Sequence, residues 1–178
     1  MRVLLVFLLA AVIVVTGCEK SDLTVAGDEA LVTERAAHTV PLKCAFHTIP
    51  NEEQEMGAPN GWLAGHATHM GNLQWESSPY WYTAPPEFSG NPDYPLRVFI
   101  FNFLAAANGD ISSWAGHLDV NPETGMFIGH LDLVPHEMNS GRFEGATGYA
   151  NISEDDPGFT DPETGVGTWD AAGEITFP

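Results

Sequence analysis

Two hydrophobic patterns divide this chain of 178 residues. From Val3 to Val15 every position is apolar. From residue 40 onward apolar residues fall into short runs, separated by Gly, Pro, Asn and Asp. Short runs bounded by turn residues predict β-strands. Leu96–Ala106 is the most apolar of them and is rich in β-branched and aromatic residues, which predicts a central strand. Asn108-Gly109 follows it, a strong hairpin signal, and Ile111–Val120 is the expected return strand. Pro59-Asn60-Gly61 marks a turn. Beyond it, Trp62–Trp75 reads as one long strand with bends at Gly65 and Gly71. Two loops repeat one theme, Asn121-Pro122-Glu123-Thr124-Gly125 and Asp161-Pro162-Glu163-Thr164-Gly165. In each, Pro presets the turn angle and Gly accepts a positive φ, so both are expected to close hairpins. Gly116–Val120 and Gly129–Leu133 flank the first. Phe143–Ile152 and Val166–Phe177 are the expected last strands. About seven or eight antiparallel strands at this spacing predict an all-β domain, a closed barrel or a sandwich.

The first apolar run has a different meaning. It is 13 residues long, follows Arg2 and ends in Val15-Thr16-Gly17-Cys18. A membrane-spanning helix needs about 20 residues. A basic start, a short apolar core and small residues before a cut are the layout of an export signal. A cleavage site that ends in Cys resembles the bacterial lipobox. That resemblance implies cleavage before Cys18 and attachment of lipid to Cys18. The expected organisation is a leader over 1–17, a lipidated tether over 18–39 and one β domain over 40–178. Among lipoproteins, Asp after the lipidated Cys implies retention at the inner membrane. Glu19 stands there, so the resemblance points to lipid anchoring at the outer membrane of a bacterial cell envelope.

Charge narrows the partners. The chain has 6 Lys and Arg against 24 Asp and Glu, a formal net charge of −18. Loss of Arg2 with the leader leaves only Lys20, Arg35, Lys43, Arg97 and Arg142 as basic side chains. Such a surface repels phosphate backbones and anionic headgroups, which excludes nucleic acid as a partner. Membrane contact is therefore expected through the lipid on Cys18. With Cys18 acylated, Cys44 has no cysteine to pair with. It lies in the apolar strand Val40–Phe46 and is expected to be a small buried side chain.

Candidate chemistry is sparse. If Asn121 closes its hairpin opposite Met126, His117 falls directly opposite His130. Two facing imidazoles are the candidate metal ligands, for zinc or copper, although no close-spaced ligand motif supports them and no cofactor is implied. Acidic residues crowd residues 154–163, without the spacing of a calcium loop. An aromatic, Pro-rich stretch holds Trp75, Tyr80, Trp81, Tyr82, Phe88 and Tyr94. Aromatics with polar tips make walls for apolar or sugar-like ligands, or a lid over a barrel mouth. Trp75, Tyr80, Trp81 and Tyr82 are the candidate ligand-binding residues. His69 joins them, because Thr68 and His69 would face opposite sides of one strand and one of the two would face inward. There is no G-x-S-x-G, phosphate-binding glycine loop or C-x-x-C.

Three motifs carry a family resemblance. Gly65-His66-Ala67-Thr68-His69-Met70-Gly71 resembles a G-N-A-T-H-L-G motif, with His66 in place of Asn and Met70 in place of Leu. Ala106–Asp110 resembles an A-A-N-G-D hairpin. Gly141–Gly148 resembles a G-R-F-x-G-A-T-G motif. Their order, with the closing Gly173–Phe177 strand, is similar to that of exported bacterial proteins of the allene oxide cyclase and dirigent type. The resemblance implies a single antiparallel eight-stranded barrel, with the glycines of the third motif curling the chain over one end and Phe143 plugging it. The expected function is a non-catalytic module for a small apolar ligand or a surface partner. An isomerase or cyclase using the barrel cavity, and a purely structural envelope protein, are the alternatives. If Phe99, Phe101 and Phe103 fill the axis, no cavity is left.

Overall fold

The Asn108-Gly109 turn joins two strands paired over their whole length, as its residue types predict. The computed structural model describes residues 36–52 and 55–178. Its strands are β1 (His38–Pro50), β2 (Gly61–Ala67), β3 (Gly71–Asn72), β4 (Pro79–Tyr82), β5 (Glu87–Phe88), β6 (Leu96–Ala105), β7 (Ile111–Val120), β8 (Met126–Leu133), β9 (Thr147–Ile152), β10 (Gly158–Thr160) and β11 (Gly167–Phe177). Single 3-10 turns lie at Trp75–Ser77 and Gly141–Phe143. All pairings between strands are antiparallel. β4 and β5 share one edge of β6, and β9 and β10 together bridge β8 and β11. Counted as staves, these close an eight-stranded barrel, in which β1 pairs with both β2 and β11. Closure leaves no long sheet edge exposed.

The two repeated loops are built alike. Asn121 N–H donates to Met126 O at 2.8 Å, and Asp161 N–H donates to Val166 O at 2.9 Å. The side-chain Oδ1 of each first residue accepts backbone N–H groups two or three positions on. Gly125 and Gly165 take φ of +74° and +70°. The first loop therefore sets the register in which His117 faces His130.

One end of the barrel is closed by packed side chains. Leu42, Leu104, Trp114, Leu133 and Ile175 point inward there, and Phe143, at 0% exposure, drops into the centre from its 3-10 turn. Its ring lies 5.8 Å from that of Phe177. The expected plug is thus in place, though Phe143 precedes β9, which starts at Thr147.

One strand expectation changes. The long strand over 62–75 is interrupted. β2 stops at Ala67, and His69 adopts φ of +68° in a turn before β3. The axis is not filled by Phe99, Phe101 and Phe103. The inward face of β6 is Val98, Ile100, Asn102 and Leu104, and the three phenylalanines lie outside with Arg97. Both faces of β6 are apolar, so alternation alone does not tell them apart. The expected leader over 1–17, Cys18 and most of the tether lie outside the described residues; β1 begins at His38.

Candidate functional site

Opposite the plugged end, the barrel interior holds a cavity of about 510 Å³, within the range of small-molecule sites. Its walls come from the inward positions of nearly every stave: Leu63 on β2, Tyr80 and Tyr82 on β4, Val98 and Ile100 on β6, Leu118 on β7, Phe127 and Leu131 on β8, and Trp169 on β11. The loops at 121–125 and 161–165 form part of its rim. Gly167 adds room, since a Cβ there would meet nothing closer than 3.5 Å. Trp169 is held at the wall by edge-on contacts with Phe46 and Phe127, at centroid distances of 5.9 and 5.8 Å.

Polar groups in the lining are few. The Tyr80 and Tyr82 rings meet edge-on at a centroid distance of 5.8 Å, and burial pushes the pKa of both phenols up. Thr48 and Thr160 contribute hydroxyls, and Thr48 Oγ1 already accepts from Gly167 N–H at 2.7 Å. Glu123 is the one carboxylate, on an exposed turn at the rim. Deeper in, Asn102 lies between the cavity and a small void of about 30 Å³.

The aromatic stretch is brought to the site only in part. Tyr80 and Tyr82 line the cavity. Trp81, between them, points the other way, and its ring packs outside the barrel with Phe101 and Phe103 at 6.2 and 5.8 Å. Trp75 is exposed in its 3-10 turn, edge-on to Trp62 at 6.3 Å. His69 is exposed at the plugged end, where Nε2 lies 3.2 Å from Pro41 O. It is on neither face of a strand, because the left-handed turn carries it out.

His117 and His130 face each other on the outside of the β7–β8 hairpin, with ring centroids 6.5 Å apart. Both nitrogens of His130 have partners: Nδ1 lies 2.6 Å from Asn151 Oδ1 and Nε2 lies 3.1 Å from Asp132 Oδ1. Beside them Asp119 forms a two-pronged ion pair with Arg97, at 2.7 and 2.8 Å. Among the described residues no group of three or more His, Cys, Asp or Glu side chains is arranged to hold a metal ion. In the acidic stretch, Asp161 caps its own turn, and the N–H of Glu163 holds its carboxyl below the usual range. Cys44 is buried, and burial with the nearby Asp170 carboxylate pushes its thiol up to about 12.

Sequence reasoning missed Asn102, Leu118, Phe127, Leu131 and Trp169. A signal for Asn102 was available. Arg97 is charged, and in the Asn108-Gly109 register it falls opposite Asp119. An ion pair belongs outside, which makes the odd positions of β6 outward and places Asn102 inward. Comparison with protein-family models, curated proteins and solved structures finds no match. No helix among the described residues is long and apolar enough to cross a membrane.

Proposed function

We propose that this chain is a lipid-anchored protein of the bacterial cell envelope whose barrel binds a small apolar ligand without transforming it. The observation that carries the binding reading is the cavity of about 510 Å³, walled by Leu, Val, Ile, Phe and Trp side chains. An apolar molecule placed there leaves water at little cost in polar desolvation. General acid–base or covalent catalysis needs a base or nucleophile within reach of the reacting atom. The lining holds no His, Cys, Lys or Arg, and its carboxylate sits at the rim. This favours binding over a cyclase. The anchoring reading is supported by the apolar run Val3–Val15 ahead of Cys18. Glu19 favours the outer membrane, and the motifs favour the exported allene oxide cyclase and dirigent-like group.

Two measurements test this. The fluorescence of N-phenylnaphthylamine, an uncharged apolar dye, should rise saturably with the purified protein. Val98→Trp, which adds bulk to the wall, should weaken that binding more than about tenfold, a loss of about 1.4 kcal/mol. A dye that shows no saturation, or binds Val98→Trp equally well, removes the cavity from the function. For the anchor, the full chain expressed in a bacterial host should carry acyl mass on Cys18 and sediment with membranes, and Cys18→Ser should do neither. An unacylated wild-type chain overturns the anchor.

A further inference from the structure

We propose that the ligand is an uncharged, largely hydrocarbon molecule with a hydroxyl at its leading end, and that Asn102 receives that hydroxyl at the cavity floor. The inference rests on the cavity-binding reading above and specifies what the cavity selects.

Asn102 is an anomaly in its strand. It is 3% exposed, on the inward face of β6 between Ile100 and Leu104. Its backbone is paired on both sides, with Tyr80 on β4 and Trp114 on β7. The side-chain Oδ1 has no hydrogen-bond partner, and among the described residues no other buried side-chain nitrogen or oxygen is left in that state. The neighbouring buried polar groups are all engaged. Ser78 Oγ donates to Gln74 O and accepts from Ala105 N–H, and Ser112 Oγ accepts from Trp114 Nε1–H. A buried acceptor without a donor opposes folding, whereas an apolar side chain of similar size would not. Asn102 borders the cavity, and a half-turn about its Cβ–Cγ bond exchanges the enclosed oxygen with the amide nitrogen, so a ligand hydroxyl in the cavity can pair with the side chain.

The void beneath it offers little instead. At about 30 Å³ it has room for about one water, and its frame of Leu42, Leu63, Leu104 and Leu131, among others, is mostly hydrocarbon.

Charge then decides between an alcohol and an acid. A carboxylate carried to the floor would be desolvated, and no Lys, Arg or His lines the cavity to receive it. Arg97, the nearest basic residue in sequence, points outward into its ion pair with Asp119. Glu123 at the rim and the net charge of −18 repel anions before they enter. A hydroxyl is neutral and can both donate and accept, so it matches the amide.

The test uses three probes with one hydrocarbon body: dodecanol, dodecyl methyl ether and, at neutral pH, dodecanoate. Each competes with N-phenylnaphthylamine for the purified protein. Dodecanol should displace the dye at concentrations about tenfold below those needed for the ether or the carboxylate. In Asn102→Leu, read as the ratio of the two displacements whatever the dye's own affinity, the alcohol and ether should come within about twofold of each other. The wild-type series decides on its own if Asn102→Leu fails to fold. Equal displacement by alcohol and ether, tighter binding of dodecanoate, or an alcohol preference that survives Asn102→Leu overturns the proposal. If neither the dye nor any probe binds, the cavity-binding reading falls and takes this one with it.

Discussion

Gly141 lies against the carboxylate of Asp110, so closely that a methyl group at position 141 would overlap it. The contact joins two motifs far apart in sequence. Asp110 ends the hairpin after β6, where Asn108 Nδ2 donates to it at 2.9 Å. Gly141 opens the turn that carries Phe143, and the backbone N–H and Nε of Arg142 both reach Asp110 Oδ2 at 3.4 Å. Gly141 also has φ of +58°, a conformation that costs any residue with a Cβ. Gly141→Ala should therefore lose about 1–3 kcal/mol in urea unfolding, from strain and from displacement of the carboxylate. Adding Asp110→Ala should recover part of that loss, because the overlap is gone while the φ strain stays. A single variant within about 0.5 kcal/mol of wild type would show that the turn is not fixed in this way.

Phe143 should be the costliest single truncation at the plugged end. Its side chain is fully buried, and its ring packs on Phe177 within the same core as Ala146 and Ile175. A staved wall cannot collapse inward to fill the gap as a helix bundle can. Phe143→Ala is expected to cost about 3–5 kcal/mol, and Phe143→Leu clearly less. Equal losses for the two in denaturant unfolding would mean that the ring does not fill the barrel end.

The hairpins were legible because single residues fix them, and the plug because Phe143 stands within a recognisable motif. Asn108-Gly109 sets the β6–β7 turn, and the Asn121 and Asp161 loops set two more. The cavity was not legible from β6 by periodicity, because Phe99, Phe101 and Phe103 look more like core than Val98 and Asn102 do. Their contacts are with Trp81 and His136 on the outside. The aromatic stretch runs partly as a strand, and so it sends Tyr80 and Tyr82 inward and Trp81 outward. His69 was lost to a left-handed turn that no residue type announces, since Gly71, two positions on, is the residue expected to bend.

Cys44 should be inert to alkylation until the barrel opens. Burial raises its pKa from 9.0 to about 12, so almost no thiolate exists in the folded protein at pH 8. Iodoacetamide should label Cys44 only in denaturant, read by peptide mass. The same shift sets a stability limit at high pH. The group's folded-state pKa is raised, so its contribution is intact below pH 9.0 and is lost as pH climbs towards about 12. There the unfolded thiol ionises first, and stability should fall by up to about 1.4 kcal/mol per pH unit. Cys44→Ala should flatten that slope. An unchanged slope assigns the alkaline loss to other groups.

His117 should impose the opposite dependence on the acid side. Burial lowers its pKa from 6.5, and the Arg97 guanidinium and His130 push the same way, while Asp119 and Asp132 oppose them. A depressed folded-state pKa means that the neutral ring is the one the fold accommodates. Its contribution is therefore present above pH 6.5 and is lost as pH falls, because the unfolded chain binds the proton first. The Arg97–Asp119 pair sharpens the effect. Asp119 is held bidentately by the guanidinium at 2.7 and 2.8 Å, so its carboxylate is already engaged when His117 needs a counter-charge. In an imidazole NMR titration His117 should protonate below pH 6.5, and Arg97→Met should raise that midpoint by freeing Asp119 and removing a cation. A His117 midpoint at or above 6.5 in the wild-type protein, or one that Arg97→Met lowers, would mean that the outward face of β6 and β7 is not coupled as described.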